Sequence, residues 1–175
     1  MDDEILRAKR LFTSFDGSTF NMFREGRLEE YKQYNISKEL EMNWFNELID
    51  QCSKELSIKD WHAVYRLDSI ASNYQDVRIL KNVLSFASRN IMSSDSIVKL
   101  MYAEGIIEII NKTKKLISDD LRIEAYKTTF LILEDIIKKP LVIDPGHELE
   151  NYNIKDKKTL NDRAKRSIEK IKNDF

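Results

Sequence analysis

Apolar residues recur every three to four positions along nearly the whole chain, which is the spacing of amphipathic helices. Strand-like alternation is almost absent, and Leu141-Val142-Ile143 is the only short β-like run. The pattern therefore predicts an all-α fold of about 8–10 helices. The predicted helices lie at about 3–14, 18–25, 27–34, 37–56, 60–73, 76–92, 95–103, 105–117, 119–138 and 157–173.

Polar caps and helix breakers divide the chain into parts. Pro140 cannot continue a helix, and Pro145-Gly146 is a turn signal. Residues 140–156, which lead to the last predicted helix, therefore form the one long connection. The candidate N-terminal caps are Ser37, Asp60, Asp76, Asp95 and Asp119 or Asp120. We expect one domain, made of an irregular helical cap at 1–36, a helical array at 37–138, a loop at 140–156 and a C-terminal helix at 157–173.

Two predicted helices, at 76–92 and 119–138, each carry two apolar stripes. A helix with two apolar stripes must pack on two sides, which favours a layered helical array. The two helices also share a sequence motif, since Asp76-Val77-Arg78-Ile79 recurs 44 residues later as Asp120-Leu121-Arg122-Ile123. A period near this length is typical of armadillo and HEAT repeats. The alternative is an irregular helical bundle in which the match is accidental.

Residues 97–133 resemble one armadillo unit. That family has a short first helix, a bend where Gly105 stands, an apolar second helix and a long third helix. The resemblance implies an α-α superhelix of the armadillo-HEAT type over residues 60–138. Armadillo grooves that bind extended peptides use an asparagine on the third helix, and residues 127–133 contain none. The resemblance therefore implies a fold and does not extend to that mode of peptide binding.

Composition excludes several classes of protein. The 175 residues include four glycines, two prolines and one cysteine, too few for a turn-rich β-sandwich or a disulfide scaffold. No apolar run is long enough to cross a membrane, and the acidic N-terminus does not resemble a signal peptide. We therefore expect a cytoplasmic protein, with no membrane among its partners.

Charge is unevenly distributed along the chain. Residues 155–175 hold eight Lys or Arg and four Asp or Glu, whereas the remainder holds 21 and 26, so an acidic body carries a basic tail. The tail is either a solvated helix or a segment that docks on its own acidic body or on an anionic partner. The net charge of −1 argues against nucleic acid as the main partner.

Few side chains suggest chemistry. His62 lies near a predicted helix start, and Cys52 has no histidine nearby in sequence. Asp144 and His147 could contribute two ligands to a metal site, but two ligands do not define one. The Asp16-Gly17-Ser18-Thr19-Phe20 run is interpreted as a turn and helix cap. The sequence thus predicts no enzyme, no cofactor and no metal.

The function predicted from these features is protein binding. The most concrete version is a small bacterial immunity or inhibitor protein that neutralises a partner such as a toxin, since an acidic body suits a basic partner. The candidate partner-binding residues are Trp44, Trp61, Arg78, Asn82, Arg89, Lys127 and Glu134. The alternatives are a nucleic-acid-binding or processing protein that uses the basic C-terminal helix, and an enzyme or small-ligand binder with a dispersed site, such as a HEAT-like DNA glycosylase.

Overall fold

Residues 2–174 are described by the structure, a computed structural model, and every regular element within that range is helical. The all-α prediction is therefore confirmed. The α-helices are α1 (Asp2–Ser14), α2 (Thr19–Arg24), α3 (Leu28–Gln33), α4 (Lys38–Lys54), α5 (His62–Asn73), α6 (Val77–Asn90), α7 (Ser96–Thr113), α8 (Asp119–Lys138) and α9 (Lys157–Asn173). Short 3-10 helices lie at Ile91–Ser93 and Leu149–Tyr152. No helix in this range is long and apolar enough to span a bilayer.

Gly105 lies inside a continuous helix, so the predicted bend at this residue is wrong. The two helices expected at 95–103 and 105–117 form one helix, α7. A Cβ atom at Gly105 would come within 3.1 Å of the Cγ1 atom of Val64 on α5. The missing side chain therefore allows α5 and α7 to pack closely. It does not serve to break the helix.

Helix α7 forms the centre of the molecule because it is apolar on all sides. Most of its residues are buried, and it packs against α5, α6, α8 and α9. Its one buried lysine, Lys99, donates to the Asp135 carboxylate of α8 at 2.7 Å. A buried charge is tolerated when it is paired in this way, and the pair ties α7 to α8.

The N-terminal helices pack on α4 through aromatic rings. The Phe12 ring lies 5.4 Å from the ring of Trp44 and 4.8 Å from that of Phe45, measured between centroids. Gly17 has a φ of +74°, and a Cβ atom there would overlap the Phe45 ring. Ser18 then caps α2 by accepting from the amide of Asn21, as expected for a turn and helix cap.

Helix α9 runs antiparallel to α8. Lys157, at the start of α9, donates to the carbonyl of Ile136, and Asp174, just after its end, accepts from the hydroxyl of Tyr126. In the middle of α9, Arg163 makes a bidentate contact with Glu104 of α7, with distances of 2.6 and 2.8 Å. The basic tail is thus fixed to the acidic body by part of its charge, and α8 and α9 form the two walls of a groove.

Candidate interaction surfaces

The two tryptophans predicted as interface anchors have internal roles. Trp44 is 2% exposed and belongs to the aromatic cluster around Phe12, so the prediction of an exposed anchor at this position is wrong. Trp61 is half-buried. Its ring packs against those of His147 and Tyr152, with centroid distances of 5.4 and 5.0 Å. Trp61 therefore holds the segment that joins α8 to α9.

Two of the three predicted residues on α6 are also engaged within the protein. Arg78 donates to Asp76 at 2.9 Å and to the side-chain oxygen of Asn46 at 2.6 Å. Burial raises the pKa of Asp76, but the hydrogen bonds from Arg78 outweigh it and hold that pKa below its ordinary value. The amide group of Asn82 donates to Ser53 at 2.9 Å. These contacts join α6 to α4.

Beyond these contacts, α4 and α6 border a shallow polar groove. Asn82 and Arg89 line it, and the Arg89 side chain is exposed. The groove has a volume of about 490 Å³ and contains charges of both signs, including Asp50 and Lys54. It resembles an ordinary solvated helix face, because charges of both signs are mixed with its apolar atoms, which Leu56 and Phe86 supply.

The predicted residues on α8 lie on a different face, beside exposed apolar atoms. Lys127 is exposed, and half-buried Glu134 pairs with Lys138 at 3.3 Å. Leu131 lies one turn after Lys127 and three residues before Glu134, so all four share one helix face. Leu131 is 58% exposed, whereas its chain neighbours Phe130 and Ile132 are partly buried and fully buried.

An apolar groove separates this face of α8 from α9. Phe130 and Leu131 line it from α8, and Ile171 lines it from α9. The groove has a volume of about 430 Å³. Its charged lining residues are Lys127 on one wall and Lys172 on the other. Among the grooves of residues 2–174 this one combines an apolar floor with charges of a single sign, and we name it the α8–α9 groove.

The helix that forms one wall is strongly basic. Residues 157–173 contain seven Lys or Arg and two Asp or Glu, a net charge of +5. Lys157 and Arg163 contact the body, whereas the other five cations are exposed: Lys158, Lys165, Arg166, Lys170 and Lys172. Lys172 lies 3.8 Å from Glu169, and an exposed pair at that distance contributes little. Helix α9 as a whole is therefore cationic, and Lys172 is the cation of this helix that lines the α8–α9 groove.

A second cluster of functional groups lies at the start of α7. Asp95 caps this helix, and its Oδ1 atom accepts from the amide of Val98 at 2.8 Å. Its Oδ2 atom accepts from the amide of Asp144 at 2.9 Å and lies 2.6 Å from the Nδ1 atom of His147. Because an ionised carboxylate only accepts, the proton belongs on Nδ1 of the imidazole. We name this arrangement the Asp95 clamp.

The Asp95 clamp also contains the donor atoms of a possible metal site. One ligand atom each from Asp95, Asp144 and His147 lies within 4.8 Å of the others, and two carboxylates with an imidazole suit zinc. However, both oxygens of Asp95 already accept hydrogen bonds, and Nδ1 of His147 already donates one. Asp144 takes part in these bonds only through its backbone amide. The hydrogen bonds of Asp95 fasten the connecting segment to α7 whether or not a metal ion binds.

The remaining candidates for chemistry do not converge. Cys52 is fully buried, and burial raises its pKa to about 11, which disfavours the reactive thiolate. His62 is exposed at the start of α5. A cleft of about 310 Å³ between α5, α7 and α9 holds Asp68 and Glu104, but these acids pair with Lys112 and Arg163.

Sequence reasoning missed Leu131 as a surface residue, although a signal for it exists. The apolar stripes of α8 pass through Tyr126, Phe130 and Leu133 on one side, and through Ala125 and Ile132 on the other. Leu131 belongs to neither stripe and falls in line with Lys127, Glu134 and Lys138. An apolar residue on an otherwise charged stripe is expected to lie on the solvent side of the helix, and this is the signal in the sequence. Asp95 was expected as a cap, but its partners His147 and Asp144 lie about 50 residues away, beyond any local signal.

Comparison of the chain with protein-family descriptions, with curated proteins and with solved structures gives no match.

Proposed function

We propose that this protein is a non-catalytic protein–protein interaction module that binds its partner through the α8–α9 groove. The observation that carries the proposal is Leu131, 58% exposed beside the apolar groove floor. A contiguous exposed apolar patch with a polar rim often indicates a protein interaction site. In its most concrete form the protein is a small bacterial cytoplasmic immunity or inhibitor protein that neutralises a toxin.

The internal contacts of the protein support this choice of surface. Arg78, Asn82 and Trp61 are engaged in holding helices together, whereas Leu131 and Lys127 have no comparable role. A few buried anchors near the centre of an interface carry most of the binding energy, with charges around them setting rate and specificity. The α8–α9 groove offers this combination on two helices that are themselves well packed against α7.

The test is a quantitative affinity capture from the lysate of the source organism with three baits: the wild type, Leu131→Glu and Met42→Glu. Met42 lies on α4 and is 50% exposed, so the second variant introduces the same charge at a similar exposed apolar position outside the groove. We expect one or more proteins that the wild type and Met42→Glu retain equally and that Leu131→Glu loses. Equal capture by all three baits would contradict the proposal.

An armadillo- or HEAT-like arrangement of the helices belongs to the same proposal. The pairs α5–α6 and α7–α8 are its candidate units, and α7 packs on α5 much as consecutive repeats pack on one another. The motif shared by residues 76–79 and 120–123 lies near the start of both helices, although Asp76 is the N-cap of α6 and Asp120 is the second residue of α8. The straight passage of α7 through Gly105 removes the bend of the armadillo unit, so a two-helix HEAT-like unit is the better description.

Nucleic-acid binding is the second candidate function, favoured by the exposed cations of α9. Lys165, Arg166 and Lys170 lie within two turns of one another on this helix. Phosphate neutralisation makes such binding fall steeply as salt rises. Filter binding of single- and double-stranded DNA and RNA across salt concentrations separates the two candidates. Binding at low salt that Lys165→Glu and Arg166→Glu abolish favours nucleic acid, and its absence rejects this candidate.

A further inference from the structure

We infer that the α8–α9 groove binds an amphipathic helix whose apolar ridge is flanked by acidic side chains. This inference rests on the proposed function and adds the chemistry of the partner. The inferred occupant is a segment of another protein. It would lie in the groove between two antiparallel helices that already pack on the core.

The shape of the groove matches a helix. Its walls are the exposed face of α8 around Leu131 and the face of α9 around Ile171 and Lys172, and these helices are antiparallel. A third helix that lies between two others places one apolar ridge into the groove between them. A pocket for a small molecule would instead surround its ligand and supply converging hydrogen-bond donors and acceptors. The α8–α9 groove is open and almost wholly apolar.

The floor of the groove supplies apolar contacts that packing holds in place. Phe130 is partly buried against the core and Ile171 is almost fully buried, so both surfaces are fixed by packing beneath them. Leu131 stands at the rim and would be covered only by a partner. A partner residue such as leucine or phenylalanine that enters beside Leu131 removes apolar surface of both proteins from water. An anchor on a rigid floor loses little conformational entropy on binding.

The charge of the rim determines the partner's flanks. Lys127 and Lys172 are the charged residues of the lining and stand on opposite walls, so they would border a bound helix on both sides. Lys165 lies about two turns before Lys172 on the same face of α9, with exposed Glu169 between them, so this stretch carries two positive charges and one negative charge. Acidic residues beside the partner's apolar ridge complement these lysines, whereas basic residues would be repelled. The acidic body led to the expectation of a basic partner. For the α8–α9 groove, the inferred partner is instead acidic beside its apolar ridge.

The experiment is a selection from a displayed library of amphipathic helical peptides of about 18 residues, long enough to span the groove. The ridge positions are Leu or Phe, and the flanking positions are randomised among Glu, Gln and Lys. Wild-type protein is the bait, with soluble Leu131→Glu variant in excess as competitor for sites outside the groove. We expect Glu to exceed Lys at the flanking positions of the selected peptides by about tenfold.

A second bait separates charge from shape. In Lys127→Glu/Lys172→Glu both changes are at exposed positions, and circular dichroism verifies the fold. With this bait the preference should invert and Lys should exceed Glu. The matched control is Lys81→Glu/Lys54→Glu, which alters the same number of exposed lysines on α6 and α4 and should leave the preference for Glu unchanged.

Three outcomes would overturn the inference. In the first, the selected peptides need Leu131 but show no preference for Glu, or prefer Lys, which rejects the acidic partner. This outcome does not reject the proposed interaction function, because the lysate capture tests that function separately. Concentration-dependent self-association that Leu131→Glu abolishes assigns the groove to a second copy of the chain. Flotation with vesicles of phosphatidylserine and phosphatidylcholine that Leu131→Glu abolishes assigns it to a membrane surface.

Discussion

The Asp95 clamp and the α8–α9 groove are opposites in burial and polarity. The clamp buries polar atoms, with Asp95 1% exposed, and gives both carboxylate oxygens of Asp95 a partner. The groove exposes apolar atoms, with Leu131 and Lys127 at its rim. The protein's own stability explains the clamp, because a buried polar group must be hydrogen-bonded. It does not explain the groove, because the exposed side chain of Leu131 contributes little to burial within the protein.

The comparison separates structural from functional residues. His147 and Asp144 are the residues that a search for chemistry selects first, yet they serve to hold the segment between α8 and α9 against α7. Leu131 has no chemistry and is the better functional candidate. A residue that the fold does not need is the better candidate for binding a partner. The following substitutions test the distinction between residues that stabilise the fold and residues proposed to bind, from the largest expected effect to the smallest.

The largest effect is expected from Asp95→Ala. This change leaves the amides of Val98 and Asp144 and the Nδ1 proton of His147 without their acceptor. We expect the free energy of unfolding to fall by about 3 kcal/mol, measured by urea denaturation, because each buried donor left unpaired is costly. Asp156→Ala is the matched control, since Asp156 caps α9 at an exposed site, and it should cost about 1 kcal/mol. Equal effects of the two changes would show that the clamp is an ordinary cap.

Leu131→Glu should separate binding from stability. We expect the affinity for the partner to fall at least about tenfold, or about 1.4 kcal/mol. The free energy of unfolding should change by less than about 0.5 kcal/mol, because the side chain is mostly exposed. Calorimetric titration and urea denaturation measure the two quantities on the same sample. A loss of stability as large as the loss of affinity would place Leu131 among the structural residues.

Gly105→Ala tests an apolar contact that the fold does use. Alanine is the better helix former by about 1 kcal/mol, but its Cβ atom would press on Val64 at 3.1 Å. We expect a net destabilisation of about 1 kcal/mol in thermal or urea unfolding, because overpacking costs more than the helix propensity gains. In a Val64→Ala background the same change should stabilise instead. Stabilisation in the wild-type background would show that α5 and α7 are not tightly packed at this point.

The smallest effect is a dependence of stability on pH through Asp135. Burial raises the pKa of Asp135, but hydrogen bonds from Lys139 and Lys99 outweigh it and hold that pKa below its ordinary value. The folded carboxyl therefore binds its proton less readily than the unfolded one. Its contribution is present above about pH 4 and is lost as the pH falls through the folded pKa.

The check is the difference in unfolding free energy between the wild type and Asp135→Asn at about pH 5 and about pH 3. We expect this difference to shrink at the lower pH by less than about 1 kcal/mol. A difference that grows as the pH falls would mean that the carboxyl binds its proton more tightly in the folded protein.

Local patterns predicted the helices well and their surroundings poorly. The apolar spacing of α8 and the caps Ser37, Asp76 and Asp95 are visible in sequence because each acts within one turn of helix. By contrast, a glycine in the sequence is compatible with a bend in a helix and with a close contact between two helices. Only the packing of Gly105 against Val64 distinguishes these two roles.

The surface was harder to predict than the helices. A tryptophan such as Trp44 fits a core or an interface equally well by composition, and its burial depends on Phe12, which lies far away in sequence. Lys127 and Glu134 were placed on an exposed face of α8, where the structure also has them at least partly exposed. The groove itself depends on Ile171 and Lys172 of α9, which only the tertiary fold brings beside Leu131.

Photo-crosslinking tests the central claim most directly, because it reports what touches the groove in the cell. A photoreactive phenylalanine analogue replaces Leu131 in one sample and Met42 in another, and both are irradiated in living cells of the source organism. We predict a discrete protein adduct at position 131 whose yield at position 42 is at least about tenfold lower. Equal adducts at the two positions, or an adduct with nucleic acid at position 131, would contradict the account.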